Sequence, residues 1–351
     1  MSEPTYKSQI EFLEYIQRLL DGGGFTASYK FALLMALADL SVEKGDDSGA
    51  PLQLHARDVA LKFVRYYARQ AAPFKASRGG LSGILHQNTD KQARIVNLVM
   101  EASPGYAATG FQKSVKSMES DGKLVSEVTS TVAVMPLWKL QTIGGVVEDF
   151  LYPNIGKGRN FELRPGIAFC FRKFHGFITR LAQDGWVRFV RERKQNKALL
   201  GNTSDLAQFM FGVDRASLIP YRELLVDLQK GKCFYCGKAK KTAHVDHFIP
   251  WSWYSLDLGH NFVLACEVCN GQKRDMLAAP IHLKRWLIRN EVNASGMSDY
   301  FTANTLPNDA EGSLLIAKWA YGRVAGGQGA TWINGKAFQR IGNSSSWTFP
   351  G

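Results

Sequence analysis

At 351 residues and 45% hydrophobic content the chain is long enough to bury two modest cores, and no apolar run reaches the length of a membrane span. A formal charge of +12, with an isoelectric point near 9.4, favours a polyanionic partner through long-range attraction and counterion release. The first residues, Met-Ser-Glu-Pro-Thr, lack the charged start and apolar core of a signal peptide, so a cytoplasmic protein of bacterial or phage type is expected.

Residues 1 to about 205 read as mainly helical. Apolar groups recur at helical spacing through Ile10 to Leu20, Ser28 to Leu40 and Val59 to Tyr67. Gly22, Gly23 and Gly24 separate the first two, with Thr26 or Ser28 available as a cap for the second. Lys44 to Pro51 is a loop. Gln112 to Met135 starts as a polar helix and passes into a β-branched run, Val125 to Val134, with the composition of a strand. Phe150 to Pro153 and Phe161 to Pro165 suggest short extended pieces. From Gly166 the pattern Phe171, Phe174, Phe177, Leu181, Trp186, Phe189 and Val190 predicts one or two aromatic-rich helices ending near Asn196. Cys170, alone in that run, reads as a buried apolar thiol. Arg188, Arg191, Arg193, Lys194 and Lys197 form a basic run. There are no internal repeats and no low-complexity tract.

Residues 206 to 230 make a helical approach, clearest from Ser217 to Leu228, to the most informative segment of the chain. Of five cysteines, four fall into two C-x2-C pairs, Cys233/Cys236 and Cys266/Cys269. Two residues between thiols let a tight turn aim both sulfurs at one ion, and the second pair completes a tetrahedron. Redox C-x-x-C chemistry is the rival, weakened by the presence of two pairs, Gly237 after the first and no surrounding βαβ pattern. With all four positions filled by sulfur, a zinc ion there has no open site and should hold the fold rather than activate water.

Between the pairs, Thr242 to Ile249 alternates as a strand stopped by Pro250, Asn261 to Ala265 is a short apolar strand, and Cys269 to Leu277 is helix-forming. This is a ββα arrangement. With Asp246-His247, Asn261, Asn270 and Lys273 inside a four-cysteine frame, the segment from Gly231 to Leu277 resembles the HNH, or ββα-metal, endonucleases of the zinc-framed subgroup.

The resemblance implies a role for each matching residue. His247, ending the first strand, matches the general base that takes a proton from the water attacking a scissile phosphate, a task suited to neutral imidazole. Asp246 and Asn270 match ligands of one hard divalent cation, Mg²⁺ or Mn²⁺. Asn261 matches the central Asn, whose amide ties the loop between the strands to backbone groups. Lys273, about one helical turn after Asn270, is expected to face the same phosphate. The implied substrate is DNA, duplex by family habit, one strand being cut per site.

Each residue also has a plainer reading. Asn270 suits a helix N-cap. His244 shares a strand face with Asp246, where it would either tune the metal or simply fill space. His260 and His282 carry no special signal. Lys238, Lys240 and Lys241 after the first cysteine pair, and Arg274, Lys284, Arg285 and Arg289 after the second, read as groups that track nucleic acid, although a basic helix face is usually just solvated. Trp251, Trp253 and Tyr254 are candidates for base stacking, with packing the expected role for at least one.

After Leu277, Pro280 to Ile288 reads as a basic amphipathic helix and Glu311 to Val324 as another. The Gly- and Ser-rich tail from Ala325 to Gly351, with Trp332, Phe338 and Trp347 as scattered anchors, is expected to dock. The fold class is therefore α+β: a mainly helical regulatory or DNA-recognition domain over 1–205, an HNH domain with structural zinc over 206–290, and a helical extension and tail over 291–351. The amino-terminal pattern Ala27-Ser-Tyr-Lys-Phe-Ala-Leu-Leu, followed by Val64-Arg-Tyr-Tyr, also resembles the amino-terminal regions of nucleases found with prokaryotic anti-phage genes, among them Zorya-type systems with an accessory HNH protein. That implies a defence or restriction role with protein partners; the oligomeric state is not readable. Two function classes stand: a metal-dependent DNA endonuclease, and a nucleic-acid-binding zinc module that no longer cuts. A retired nuclease is expected to lose Asp246, His247 or Asn270, and all are present.

Overall fold

A computed structural model of the chain describes residues 3–75, 82–102, 111–200, 206–212, 218–239, 242–342 and 349. It divides into two units, Met1–Ala216 and Ser217–Gly351.

The first unit is organised on the helix Tyr29–Lys44, which is apolar around its whole circumference and buried at nearly every position from Lys30 to Val42. A helix of that composition belongs in the middle of a core. The helices Ala56–Gln70, Ile167–Lys173 and His175–Arg191 pack around it. Gly185 permits the last of these to approach, since a Cβ there would stand 2.6 Å from a ring carbon of Phe31. The carbonyl end of Tyr29–Lys44 is braced by the buried Arg172 guanidinium, which donates to the oxygens of Ser41, Val42 and Gly45 at 3.1, 3.0 and 2.8 Å and pairs with Asp47 at 2.7 Å. Ser28 occupies the helix's N-cap position but makes no capping bond; its hydroxyl is 2.6 Å from the Tyr67 hydroxyl.

The β-branched run Val125–Val134 is helical, contrary to its composition. Asp121 accepts from the backbone of Lys123 and Leu124 to start the helix Gly122–Val134, and Leu124, Val125, Val128 and Val132 bury one face of it. Helical spacing of the burial overrides a weak strand preference. Of the two extended pieces expected nearby, Asn160–Leu163 pairs antiparallel with Leu52–His55. Phe150–Pro153 forms no strand: the Gln141 side chain supplies the partners, accepting from Leu151 N at 2.6 Å and donating to Tyr152 O at 2.8 Å. The aromatic-rich segment is two helices, Ile167–Lys173 and His175–Arg191, with a further 3-10 turn at Lys194–Asn196. Cys170 is buried among them.

The second unit opens with the helix Ile219–Gln229, whose Tyr221 and Leu225 pack with Ala243, Phe262, Leu264, Met297 and Phe301. Residue 217, where the sequence pattern starts that helix, lies outside the described residues. After the finger comes one long helix, Pro280–Ala303, with proline in its first turn where no N–H is needed, then Ala310–Gly326, capped by Asp309. The tail forms a hairpin, Ala330–Asn334 with Ala337–Arg340. It docks through Trp332, which is fully buried and bonded through its backbone to Leu277 O and Ala279 N at 2.8 and 2.7 Å. Phe338 is exposed, and residue 347 lies outside the described residues. The architecture is α+β, with the finger followed by helices.

Candidate functional site

The finger begins where the helix Ile219–Gln229 is stopped by two left-handed residues, Lys230 and Gly231. The next turn presents the first sulfur pair: Cys233 N donates to Lys238 O and Gly237 N to Cys233 O, with Gly237 at φ +70°. The second pair straddles a strand end and a helix start. Cys266 closes the strand Phe262–Cys266 and sits at the N-cap of Glu267–Lys273, and Cys269 lies in that helix's first turn. All four Sγ atoms lie within 4.8 Å of one another, with Cys236 and Cys266 at 4.0 Å. A tetrahedral zinc with bonds of about 2.3 Å needs sulfurs about 3.8 Å apart. The donor set therefore fits zinc. Burial pushes the Cys233 and Cys269 thiols up, and a cation between them would supply the charge that lets them ionise.

The strands Ala243–His247 and Phe262–Cys266 pair antiparallel, with Asp246 opposite Val263 and His247 opposite Phe262. Asp246 is 9% exposed. Its Oδ2 accepts a hydrogen bond from the Tyr235 hydroxyl at 2.6 Å and lies 3.3 Å from Lys273 Nζ; its Oδ1 has no hydrogen bond among the described residues. Lys273 does not stand at an open surface where a phosphate would meet it, as its helical register suggested. It is fully buried, and its ammonium donates to the His247 carbonyl at 2.8 Å while pairing with Asp246. Burial lowers its pKa, and the Asp246 carboxylate pulls against that.

His247 is held on three sides. Nε2 is 2.6 Å from Asp257 Oδ1, and the ring meets Trp251 and Phe262 edge-on at 5.4 and 4.8 Å. Nδ1 has no hydrogen bond among the described residues, and the side chain is 18% exposed. Asn261, 7% exposed, accepts from Ile249 N at 2.8 Å and donates to Ile249 O at 3.0 Å, closing the loop between the strands. Sequence reasoning missed both Asp257 and Tyr235. An acid in a loop and a tyrosine between two cysteines have no diagnostic spacing, and only the fold brings them to the Asp-His pair.

Asn270 is not a helix cap: that position belongs to Cys266, and Asn270 lies within the helix with its side chain free of hydrogen bonds among the described residues. His244 is exposed, in a shallow groove with Leu218, Ile219 and Arg222, and no hydrogen bond among the described residues links it to Asp246. His282 is structural, bonded to Ile333 O at 2.7 Å and to Arg285 at 2.7 Å, and His260 is fully buried.

The basic residues separate into two sets. Arg285 donates to the carbonyls of Phe234 and Tyr235, and Arg289 to those of Phe262 and His260; burial brings the Arg289 guanidinium down to about 9. Both brace the finger. Lys238, Arg274 and Lys284 are exposed, and Lys240 and Lys241 lie outside the described residues. In the first unit Arg188, Arg191, Lys194 and Lys197 are exposed, whereas Arg193 lies over the Phe189 ring. The three aromatics after Pro250 all pack: Trp251 on His247, and Trp253 and Tyr254 on Trp319.

Residues 233–275 match the family model described as HNH endonuclease, so this stretch of the chain is an HNH endonuclease domain whose four cysteines fit a zinc frame. No curated protein and no solved structure matches the chain. Among the described residues no helix is long and apolar enough to cross a membrane.

Proposed function

We propose that the protein is a metal-dependent endonuclease that hydrolyses phosphodiester bonds in DNA. The observation that carries this reading is the Asp246-His247 pair at the end of the finger's first strand, with the ring nitrogen Nδ1 of His247 left free of hydrogen bonds among the described residues. In the reaction so assigned, His247 takes the proton of the attacking water through Nδ1. Lys273 and Tyr235 fix the Asp246 carboxylate through Oδ2, which leaves Oδ1 and the Asn270 amide oxygen as two hard donors for Mg²⁺ or Mn²⁺. When bound there, the cation supplies positive charge against the phosphate and the leaving oxygen. Asn261 keeps the intervening loop closed.

Duplex DNA is the favoured substrate, and the exposed cations Lys238, Arg274 and Lys284 suit its backbone. The amino-terminal resemblance supports a cytoplasmic role in prokaryotic defence or restriction, with protein partners of such a system. One observation favours a second reading, a zinc module that binds nucleic acid without cutting: Asp246 is nearly buried and already engaged by two side chains. Nicking of supercoiled plasmid in Mg²⁺ or Mn²⁺ separates the two. The endonuclease reading expects cutting by the parent and its loss in His247→Ala and Asn270→Ala. Equal cutting by all three proteins, or binding with no cutting by the parent, removes it.

A further inference from the structure

The acid against His247 is the group in the finger that the expected chemistry leaves without a role. Asp257 lies in the loop between the two strands, its side chain 4% exposed, with Oδ1 2.6 Å from His247 Nε2. A neutral imidazole carries one proton, and its hydrogen-bond partners decide which nitrogen holds it. The Asp257 oxygen is the acceptor in this contact, so a neutral ring that donates to it carries its proton on Nε2 and presents the lone pair of Nδ1.

The surroundings leave the ring little freedom to do otherwise. Trp251 and Phe262 pack against it at interplanar angles of 75° and 83°, which opposes a ring flip. The loop that carries Asp257 is tied at both ends, by Asn261 to Ile249 and by Phe248 N to Asn261 O at 2.9 Å. The result is one nitrogen directed at a buried acceptor and the other, on a ring 18% exposed, without a hydrogen bond among the described residues.

We propose that Asp257 is a positioning residue for the hydrolysis: it sets the tautomer and orientation of His247, so that Nδ1 is the nitrogen offered to the attacking water. The proposal rests on the general-base reading of His247 and adds the group that acts through it. Orienting partners of this kind typically contribute about 10- to 100-fold, and a carboxylate-to-amide change that traps the wrong tautomer can cost up to about 10⁴-fold.

The test uses the full chain. Long-range ¹H–¹⁵N correlation spectra of the histidine rings, recorded where His247 is neutral and assigned with His247→Gln, should show the proton on Nε2 in the parent and its redistribution toward Nδ1 in Asp257→Asn. Steady-state nicking by Asp257→Asn should show kcat lowered about 100-fold with KM within about twofold of the parent. Unchanged zinc content and melting temperature establish that the variant is folded; if it is not, the parent spectrum alone still decides. A parent ring protonated on Nδ1 overturns the proposal, as does full activity in a folded Asp257→Asn while His247→Ala is dead. An active His247→Ala overturns the general-base reading itself, and the proposal with it.

Discussion

The hydroxyl of Tyr235, from the turn between the first two cysteines, lies 2.6 Å from Oδ2 of Asp246 on the neighbouring strand. The knuckle that would grip zinc is thereby joined to the carboxylate assigned to the second cation. Burial and the Asp246 charge both push the Tyr235 phenol well up, so it stays protonated and donates. The contact is braced from behind, where the Tyr235 ring meets His282 and Trp332 edge-on, each at 5.3 Å.

Tyr235→Phe keeps this packing and deletes only the donor. It should destabilise the second unit by about 1–3 kcal/mol, the cost of leaving a buried acceptor short of a partner. Because Asp246 then turns more freely, half-maximal nicking should need about 10- to 100-fold more Mg²⁺. Thermal melts and a Mg²⁺ titration of nicking rate check the two halves separately; an unchanged Mg²⁺ requirement would show that Tyr235 merely packs.

Lys273→Met distinguishes a buried strut from a phosphate ligand. The ammonium has no solvent exposure and serves both Asp246 and the His247 carbonyl. Its removal breaks a buried pair and should cost about 3–5 kcal/mol, with the finger melting at lower temperature in the absence of DNA. Were Lys273 a phosphate contact, the finger would instead stay stable while the salt dependence of DNA affinity shallowed by about one unit of slope.

Zinc removal should unfold rather than merely inactivate. Binding at a four-thiolate site contributes on the order of 10 kcal/mol at neutral pH, more than a small finger retains without it. Cys266→Ser removes the thiolate that also ends the second strand and begins the site helix. The expected result is loss of bound zinc, by metal analysis, together with protease sensitivity confined to the second unit. A zinc-free Cys266→Ser protein as resistant as the parent would show that the sulfurs hold no ion the fold depends on.

What was legible beforehand follows from where the information sits. Two C-x2-C pairs are readable because their spacing is itself the ligand geometry, and the strand pair between them is readable from alternation stopped by Pro250. For Lys273 the sequence offers helical register alone, which fixes the side of the helix but not whether that side faces solvent or Asp246. Asp257 and Tyr235 reach the Asp-His pair through contacts with residues 10 and 11 positions away, created by a loop closure and a knuckle turn. No local pattern encodes these. In the first unit, Val125–Val134 misled because β-branching is a weak signal beside an Asp cap and one buried face.

The basic residues after the second cysteine pair give the last test, since composition treated them alike. Arg289 donates to two backbone carbonyls, those of His260 and Phe262, at the entry to the second strand. Burial lowers its guanidinium to about 9, still above neutral pH. Lys284 on the same helix is exposed. Arg289→Ala should therefore lower the melting temperature of the second unit, by the equivalent of about 2–4 kcal/mol for orphaned carbonyls and lost packing. Lys284→Ala should leave the melt within about 0.5 kcal/mol of the parent. The slope of log affinity against log salt should fall by about one unit in the same variant. Opposite outcomes, a stable Arg289→Ala that loses DNA and a Lys284→Ala that melts early, would exchange the two roles.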